Sequence, residues 1–255
     1  MSKLLEGKHA LILGIANKWS LAYAIAQAFS REGARLTLTY LGERQKDSIQ
    51  ELAKDLNVGA VLPCDVTKDD ELSVLSESLK GMGPLHAAVH SLAFANKEDL
   101  GRPFVETSRA GFLLAQDVSA YSLVAVARAI APAMTEGGSL STLTYLGSTR
   151  VVTNYNVMGV AKASLEAAVR YLASELGTRK IRVNAISAGP VKTASARAIK
   201  DFSTILDTIQ QRAPLKRNTD PAEVADTAVF LASDLGRGVT GNCIFVDAGM
   251  QVMGF

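Results

Sequence analysis

The sequence predicts one α/β domain, a doubly wound parallel sheet of about seven strands with helices on both faces and a small lid late in the chain. Three observations carry that prediction. Short apolar runs alternate with longer amphipathic stretches almost from end to end, and strands alternating with helices build βαβ units around a parallel sheet. No repeat, linker or low-complexity segment divides the 255 residues, a length that open α/β sheets reach as a single unit. Apolar residues make up 48% and charged residues 20%, which suits a globular chain with a sizeable core.

Taken in order, the strand-like runs are His9–Leu13, Arg35–Tyr40, Ala60–Pro63, Leu85–Ser91, Ser139–Tyr145, Arg182–Ser187 and Asn242–Val246. Helical patterns fall at Leu21–Glu32, Arg44–Leu56, Asp70–Lys80, Arg109–Met134, Asn156–Leu176 and Pro221–Ser233. Boundary residues agree with these assignments. Gly33 follows the first helix where a left-handed C-terminal residue is wanted. Asp220-Pro221-Ala222-Glu223 supplies a cap, a proline at the first helical position and a capping glutamate. Residues 188–207 break the rhythm and are expected to form an insertion or substrate-binding lid within the single domain 1–255.

Composition excludes several classes. A net charge of +2 argues against a broad nucleic-acid footprint, which needs clustered Lys and Arg. The start, Met1 to Ala10, lacks the apolar stretch and cleavage site of a signal peptide. The most apolar helical stretch, Tyr121–Met134, is interrupted by Arg128 and Pro132 and falls short of the roughly 20 apolar residues of a membrane span. A soluble, cytoplasmic protein with no membrane partner is expected. Cys64 and Cys243 are too few for a disulfide framework and read as buried reduced thiols. His9, His86 and His90 lie in or beside apolar runs, where packing roles are expected, and no cluster has metal-ligand spacing.

The first strand ends in Gly14-Ile15-Ala16-Asn17-Lys18-Trp19-Ser20-Leu21-Ala22. Gly14 is the only glycine there, so this is no GxGxxG fingerprint. Its position matters more than its pattern, because a Rossmann-like fold receives a pyrophosphate between its first strand and first helix. Backbone amides provide the attraction, and Ser20 offers a further hydroxyl donor. Asp65 and Val66, after the third strand, suit an adenine ring, with a turn or cap as the alternative role for Asp65. The fourth strand ends in His90-Ser91-Leu92-Ala93-Phe94-Ala95, small enough for close approach of a cofactor. At the end of the second strand, Leu41 is neither the acid that selects NAD nor the arginine that accepts the phosphate of NADP. Glu43 and Arg44 fall late and suit the start of the next helix. The cofactor reading leans to NADH, with NADPH the alternative.

The segment Tyr145 to Lys162 carries the chemistry. Tyr145 ends a strand beside the crevice, and Tyr155 stands near the start of the next helix. Lys162 lies seven residues further on, nearly two turns, so both share one face about 10 Å apart along the axis. A lysine so placed can hold ribose hydroxyls and lower the tyrosine pKa by its charge. The tyrosine can then donate to an oxygen that gains negative charge. Spacing alone leaves this pair unremarkable.

Three stretches add to that spacing: Tyr145-Leu146-Gly147, Asn154-Tyr155-Asn156-Val157-Met158-Gly159 with Ala161-Lys162-Ala163-Ser164-Leu165-Glu166, and Arg182-Val183-Asn184-Ala185-Ile186-Ser187-Ala188-Gly189-Pro190. With them, essentially the whole chain resembles the bacterial enoyl-acyl-carrier-protein reductases, a divergent branch of the short-chain dehydrogenase/reductase superfamily. Most relatives in that superfamily place the lysine four residues after the tyrosine, where this chain has Gly159, and carry an upstream serine where this chain has Tyr145.

The resemblance implies that Tyr155 and Lys162 are the catalytic pair and Tyr145 a second pocket tyrosine. It places Gly14, Ser20, Leu21, Asp65, Val66 and Leu92 along the cofactor and Leu41 nearest its adenosine ribose. Val191, Lys192, Thr193, Ala194 and Ser195 would cover the nicotinamide and diphosphate, and Ala95 would touch the acyl substrate. Many family members have Arg and Leu where this chain has Lys192 and Ala194. The implied reaction is reduction of a trans-2-enoyl thioester by NADH in fatty-acid biosynthesis, with an acyl carrier protein as partner and a homotetramer as the assembly. Ala194, Ala196, Ile199, Phe202 and Ile205 recur at helical spacing and suit either an acyl trench or an ordinary packed helix. Arg197 and Lys200 would meet an acidic carrier. Two rivals stand beside this reading. One is a ketoacyl or other carbonyl reductase, disfavoured by the missing serine and the stretched spacing. The other is a non-catalytic nucleotide-binding redox sensor.

Overall fold

The computed structural model describes residues 3–193 and 202–254. Seven strands form one sheet in the order β3-β2-β1-β4-β5-β6-β7, and each neighbouring pair is parallel. They are β1 His9–Leu13, β2 Arg35–Tyr40, β3 Val58–Pro63, β4 Ala87–His90, β5 Gly138–Thr144, β6 Ile181–Ala188 and β7 Cys243–Val246. The helices are α1 Leu21–Arg31, α2 Glu43–Ala53, α3 Asp69–Lys80, α4 Lys97–Gly101, α5 Arg109–Gln116, α6 Ser122–Ile130, α7 Asn156–Leu176, α8 Phe202–Arg212 and α9 Pro221–Ala232.

Central strands read as unbroken apolar runs because helices cover both faces: every residue of β1 and of β4 is buried. One face packs Ile25, Phe29 and Ile49 of α1 and α2 with Val224 and Val229 of α9. The opposite face packs Leu75 of α3, Val126 of α6 and Leu165 of α7. The cap at α9 forms as its residues predict. Asp220 Oδ1 accepts from the Ala222 amide at 2.9 Å, and Glu223 Oε2 accepts from the Asp220 amide at 2.9 Å.

Two differences from the sequence expectation bear on the site. Helices α4 and α8 stand apart from the expected set, one before α5 and one beyond the break after β6. The expected helix Arg109–Met134 contains a wider π turn at Asp117–Tyr121 and ends in a 3₁₀ turn at Ala131–Ala133. The wider turn presents Ser119 to the loop after β4, where its Oγ accepts from the Phe94 amide at 2.9 Å and donates to the Phe94 carbonyl at 3.0 Å. Periodicity cannot announce such a turn, because it serves a contact 25 residues away in sequence. The stretch Arg109–Ala133 is long and apolar enough to cross a membrane by length and composition, and half of its most apolar window is buried inside the fold. There Leu123, Val126 and Ile130 join the core.

The histidines and cysteines serve the interior. His9 Nε2 pairs with Thr37 Oγ1 at 2.8 Å, and His86 Nδ1 accepts from the His9 amide at 3.0 Å. Fully buried His90 contacts Thr142 Oγ1 and Ser122 Oγ at 2.9 and 2.8 Å. Cys64 is buried and Cys243 half-buried, both as free thiols. Burial pushes each thiol up to about 12, which leaves little thiolate for reaction.

Candidate active site

The chain runs from β1 outward to β3, then returns to place β4 on the other side of β1. Such a reversal splays the loops that leave the two strands and opens a crevice at their carboxyl ends. Gly14 leaves β1 at φ +95°, and a Cβ on it would lie 2.1 Å from the Ser91 carbonyl oxygen. Only glycine lets the two strand ends come this close.

A cavity of about 300 Å³ fills the crevice. Gly14, Ser20, Leu21, Leu41, Leu92, Lys162 and Thr193 line it, as does Gln45. The Gln45 Oε1 accepts from the Leu41 amide at 3.2 Å. Ser20 caps α1, with its Oγ donating to the Asn17 carbonyl at 2.7 Å and accepting from the Tyr23 amide at 3.3 Å. Its hydroxyl proton is thus engaged locally, and the anion-attracting groups of this turn are the amides of Leu21 and Ala22 in the first turn of α1, which helix geometry leaves without intrahelical acceptors. These amides and the Lys162 ammonium fit a diphosphate-bearing nucleotide.

A second cavity of about 460 Å³ adjoins the first, and Leu21, Ala93, Thr144 and Thr193 line both. Its wall is mainly apolar: Phe94, Ala95, Leu100, Met158, Pro190, Val191, Phe202 and Ile205, with Tyr145 and Tyr155 set among them. The two tyrosine rings meet edge to face, 5.0 Å between centroids at 74°.

Tyr155 owes its aim to its neighbours. Asn154 and Asn156 adopt left-handed backbone at φ 63° and 39°, a conformation asparagine tolerates better than most residues. The Asn156 Nδ2 donates to the carbonyls of Leu100 and Arg102 at 2.9 and 2.8 Å, tying the start of α7 to α4. Across the ring lies Gly147, where a Cβ would come 2.4 Å from the Tyr155 Cδ1. Gly159 in turn packs on Gly147, and a Cβ there would lie 2.7 Å from the Gly147 carbonyl oxygen. A side chain at position 159 would meet that carbonyl, and the lysine that lines the crevice is Lys162.

Lys162 is 5% exposed, and its Nζ donates to the Leu143 carbonyl at 2.8 Å. Desolvation lowers its ammonium to about 8, against the opposing charge of Glu166. Burial raises the Tyr145 phenol to about 12 and pushes Tyr155 further still, with Tyr145 and Glu166 acting in the same direction. The expectation that Lys162 lowers the Tyr155 pKa is therefore corrected. Loss of water around the phenol dominates, and the Lys162 charge is not what sets it. Tyr155 is a neutral phenol across the physiological range. His90 is held neutral, lowered to about 3 by burial and by Lys162.

Other expected site residues fall elsewhere. Asp65 Oδ1 accepts from the Thr67 amide and hydroxyl at 3.0 and 2.7 Å, the turn role that was the alternative for it. Val66 packs against the core, and neither residue lines the two cavities. Lys192 is exposed and lines neither cavity. Ala194, Ser195, Ala196, Arg197, Ile199 and Lys200 lie outside the described residues. Sequence reading missed Gln45, Thr144, Leu100 and Met158, and only the small, apolar character of the strand ends hinted at the others.

Comparison with known proteins adds the following. Residues 14–251 match the family model described as enoyl-(acyl carrier protein) reductase. The enoyl-[acyl-carrier-protein] reductase [NADH] FabI of Bacillus cereus is 56% identical over 255 residues, covering 99% of this chain and 100% of that one. The enoyl-[acyl-carrier-protein] reductase [NADPH] FabI of Staphylococcus aureus is 51% identical over 252 residues, covering 98% of each. A crystal structure of the Bacillus cereus enoyl-acyl carrier protein reductase with NADP+ and indole naphthyridinone superposes with a TM-score of 0.97 at 55% identity, covering 99% of this chain and 100% of that one.

Proposed function

Because the chain belongs to the enoyl-acyl-carrier-protein reductase family, we propose that its two adjoining cavities hold a nicotinamide cofactor and an enoyl thioester, with Tyr155 and Lys162 as the residues that act on them. The enzyme is an enoyl-[acyl-carrier-protein] reductase of fatty-acid biosynthesis that uses NADH, with NADPH as a second cofactor for the same site. One observation carries the assignment of roles: a half-buried, neutral tyrosine faces an apolar cavity whose other side opens on the cofactor crevice.

The first-turn amides of α1 and the Lys162 ammonium hold the cofactor, and Leu41 and Gln45 border its adenosine ribose. When bound, the nicotinamide supplies the hydride that the β-carbon of the thioester accepts. Tyr155 donates its hydroxyl to the thioester oxygen as enolate charge develops there, a stabilisation strengthened by the dry wall around it. Tyr145 holds the Tyr155 ring edge-on and borders the thioester. Ala95, Phe202 and Ile205 shelter the acyl chain, and residues 188–207 serve as the covering segment. Val191 and Thr193 border the nicotinamide side, and Lys192, Ala194 and Ser195 complete that cover by family likeness, as Asp65 and Val66 do for the adenine.

The decisive experiment follows NADH oxidation by absorbance with crotonyl thioester, acetoacetyl thioester and no substrate. Turnover of the crotonyl substrate alone is expected. Turnover of acetoacetyl thioester instead would make the protein a carbonyl reductase, and cofactor binding without turnover would make it a sensor.

The physiological substrate is carried by an acyl carrier protein, and the enzyme works in the cytoplasm, where thiols such as Cys64 and Cys243 stay reduced. Its assembly is a homotetramer. Phe112 and Leu113 of α5, Tyr121 of the π turn and Tyr171 of α7 expose large side chains on neighbouring helices, an apolar area suited to a second copy of the chain. Light scattering after size exclusion is expected to give four times the chain mass. A monomer would refute the assembly.

A further inference from the structure

One buried acid near the reactive pair is left unused by the chemistry above. Glu166 lies four residues beyond Lys162, one turn along the same face of α7. It is 9% exposed, and its Oε1 accepts from the Thr144 hydroxyl at 2.6 Å. The neighbouring strand residue, Leu143, supplies the carbonyl that accepts from the Lys162 Nζ. Consecutive residues of β5 thus hold the two side chains, and Thr144 also lines both cavities at their junction.

A carboxyl group taken out of water in a helix core is costly unless it is compensated. A threonine hydroxyl is a modest return for that cost, and an apolar residue would pack α7 against β5 as well. The charge has an evident beneficiary. Lys162 is almost wholly desolvated, and the Glu166 charge opposes the loss of its proton, beside the Leu143 carbonyl that accepts from its Nζ. Among the described residues, the other ionisable groups around this pair offer no substitute. His90 on β4 is neutral, and Tyr145 after β5 and Tyr155 at the start of α7 are neutral phenols. Cys243 on β7 is a neutral thiol. Asp247 beyond β7 acts on Tyr145, and its two carboxylate oxygens accept from the amides of Gly249 and Gln251. Arg170 on α7 acts on Cys243.

We propose that Glu166 is a positioning residue for cofactor binding: its carboxylate keeps the Lys162 ammonium charged, and its bond to Thr144 fixes the strand end against which that ammonium is held. This rests on the assignment of Lys162 as the cofactor anchor. The ammonium loses its proton as pH rises through its free-enzyme value of about 8, so affinity for NADH falls over that range in the native enzyme. Without the Glu166 charge the ammonium deprotonates at lower pH, and the fall begins earlier.

The test is calorimetric titration of NADH into the native enzyme, Glu166→Gln, Glu166→Asp and Lys162→Ala between about pH 6 and pH 9. Glu166→Gln is expected to match the native Kd near pH 6, where the lysine is charged in both. Near pH 9 it should bind about tenfold more weakly for each unit by which the lysine pKa drops. Glu166→Asp keeps the charge and should keep the native midpoint. An unmoved midpoint in Glu166→Gln, equal weakening at every pH, or equal shifts in Gln and Asp would overturn the role of Glu166 and leave Lys162 as the anchor. Native-like titration of Lys162→Ala would instead overturn the anchor, and this proposal with it.

Discussion

Tyr155→Phe is expected to lower kcat on an enoyl thioester by about 10²–10³, the usual cost of removing one oxyanion donor, while NADH affinity stays native. The substitution removes one oxygen and leaves the ring, so the edge-to-face contact with Tyr145 and the packing on Gly147 persist. The loss therefore reports on hydrogen bonding to the developing enolate and not on pocket shape. The environment of the phenol sharpens the test. Burial pushes it well above the ordinary tyrosine range, so the hydroxyl stays protonated and kcat should show no downward limb from Tyr155 between about pH 6 and pH 9. Full activity in Tyr155→Phe, measured as crotonyl-dependent NADH oxidation, would remove Tyr155 from the role of donor.

Gly159→Ala is expected to lower both stability and turnover, against the intrinsic preference of the helix. In an exposed helix interior, alanine is favoured over glycine by roughly 0.5–1 kcal/mol. Here the added methyl would meet the Gly147 carbonyl oxygen at 2.7 Å, and that oxygen belongs to backbone that cannot swing aside. Gly147 supports the Tyr155 ring, with room for no Cβ of its own. Pushing it back moves the tyrosine, and a shift of about 1 Å in a catalytic group can cost about 10²-fold in rate. Lys162 lies one turn further on, on the Leu143 carbonyl, so NADH affinity should change far less than kcat. Thermal unfolding and steady-state kinetics together decide the matter. A raised Tm with native kcat would show that the Gly147–Gly159 contact is dispensable.

The same contact lies within the seven-residue interval between Tyr155 and Lys162. Spacing read along the chain only says that positions 159 and 162 both lie within reach of the tyrosine's helix face. The crowding of Gly147 against Gly159 excludes any side chain at the nearer position. The turn Leu146–Ser148 brings Gly147 up to the ring and against Gly159, while Lys162 lines the crevice.

Much else was legible in advance for a local reason. Strand and helix positions follow from apolar periodicity, as His9–Leu13 and Arg35–Tyr40 illustrate, and the box at Asp220–Glu223 is written in four consecutive residues. Gly14 and Leu92 could be placed at the crevice because parallel sheets bind ligands at strand ends where the order reverses. Ser20 and Asp65 carry a local role as well. Each has a hydroxyl or carboxylate that a ligand or a local turn could use, and in both the local turn takes a hydrogen bond.

The sequence by itself determined the layer architecture, the single sheet, the tyrosine–lysine helix face and the family, because each is set by residue order over short spans. Tertiary structure alone decided the electrostatics of Tyr155 and Lys162 and their support. Contacts between β5 and α7, 19 and 22 residues apart in sequence, desolvate Lys162 and place Glu166 on Thr144. Desolvation raises the Tyr155 phenol instead of lowering it as charge spacing suggested. Desolvation depends on every atom that surrounds a group in space, and no short stretch of chain contains that information.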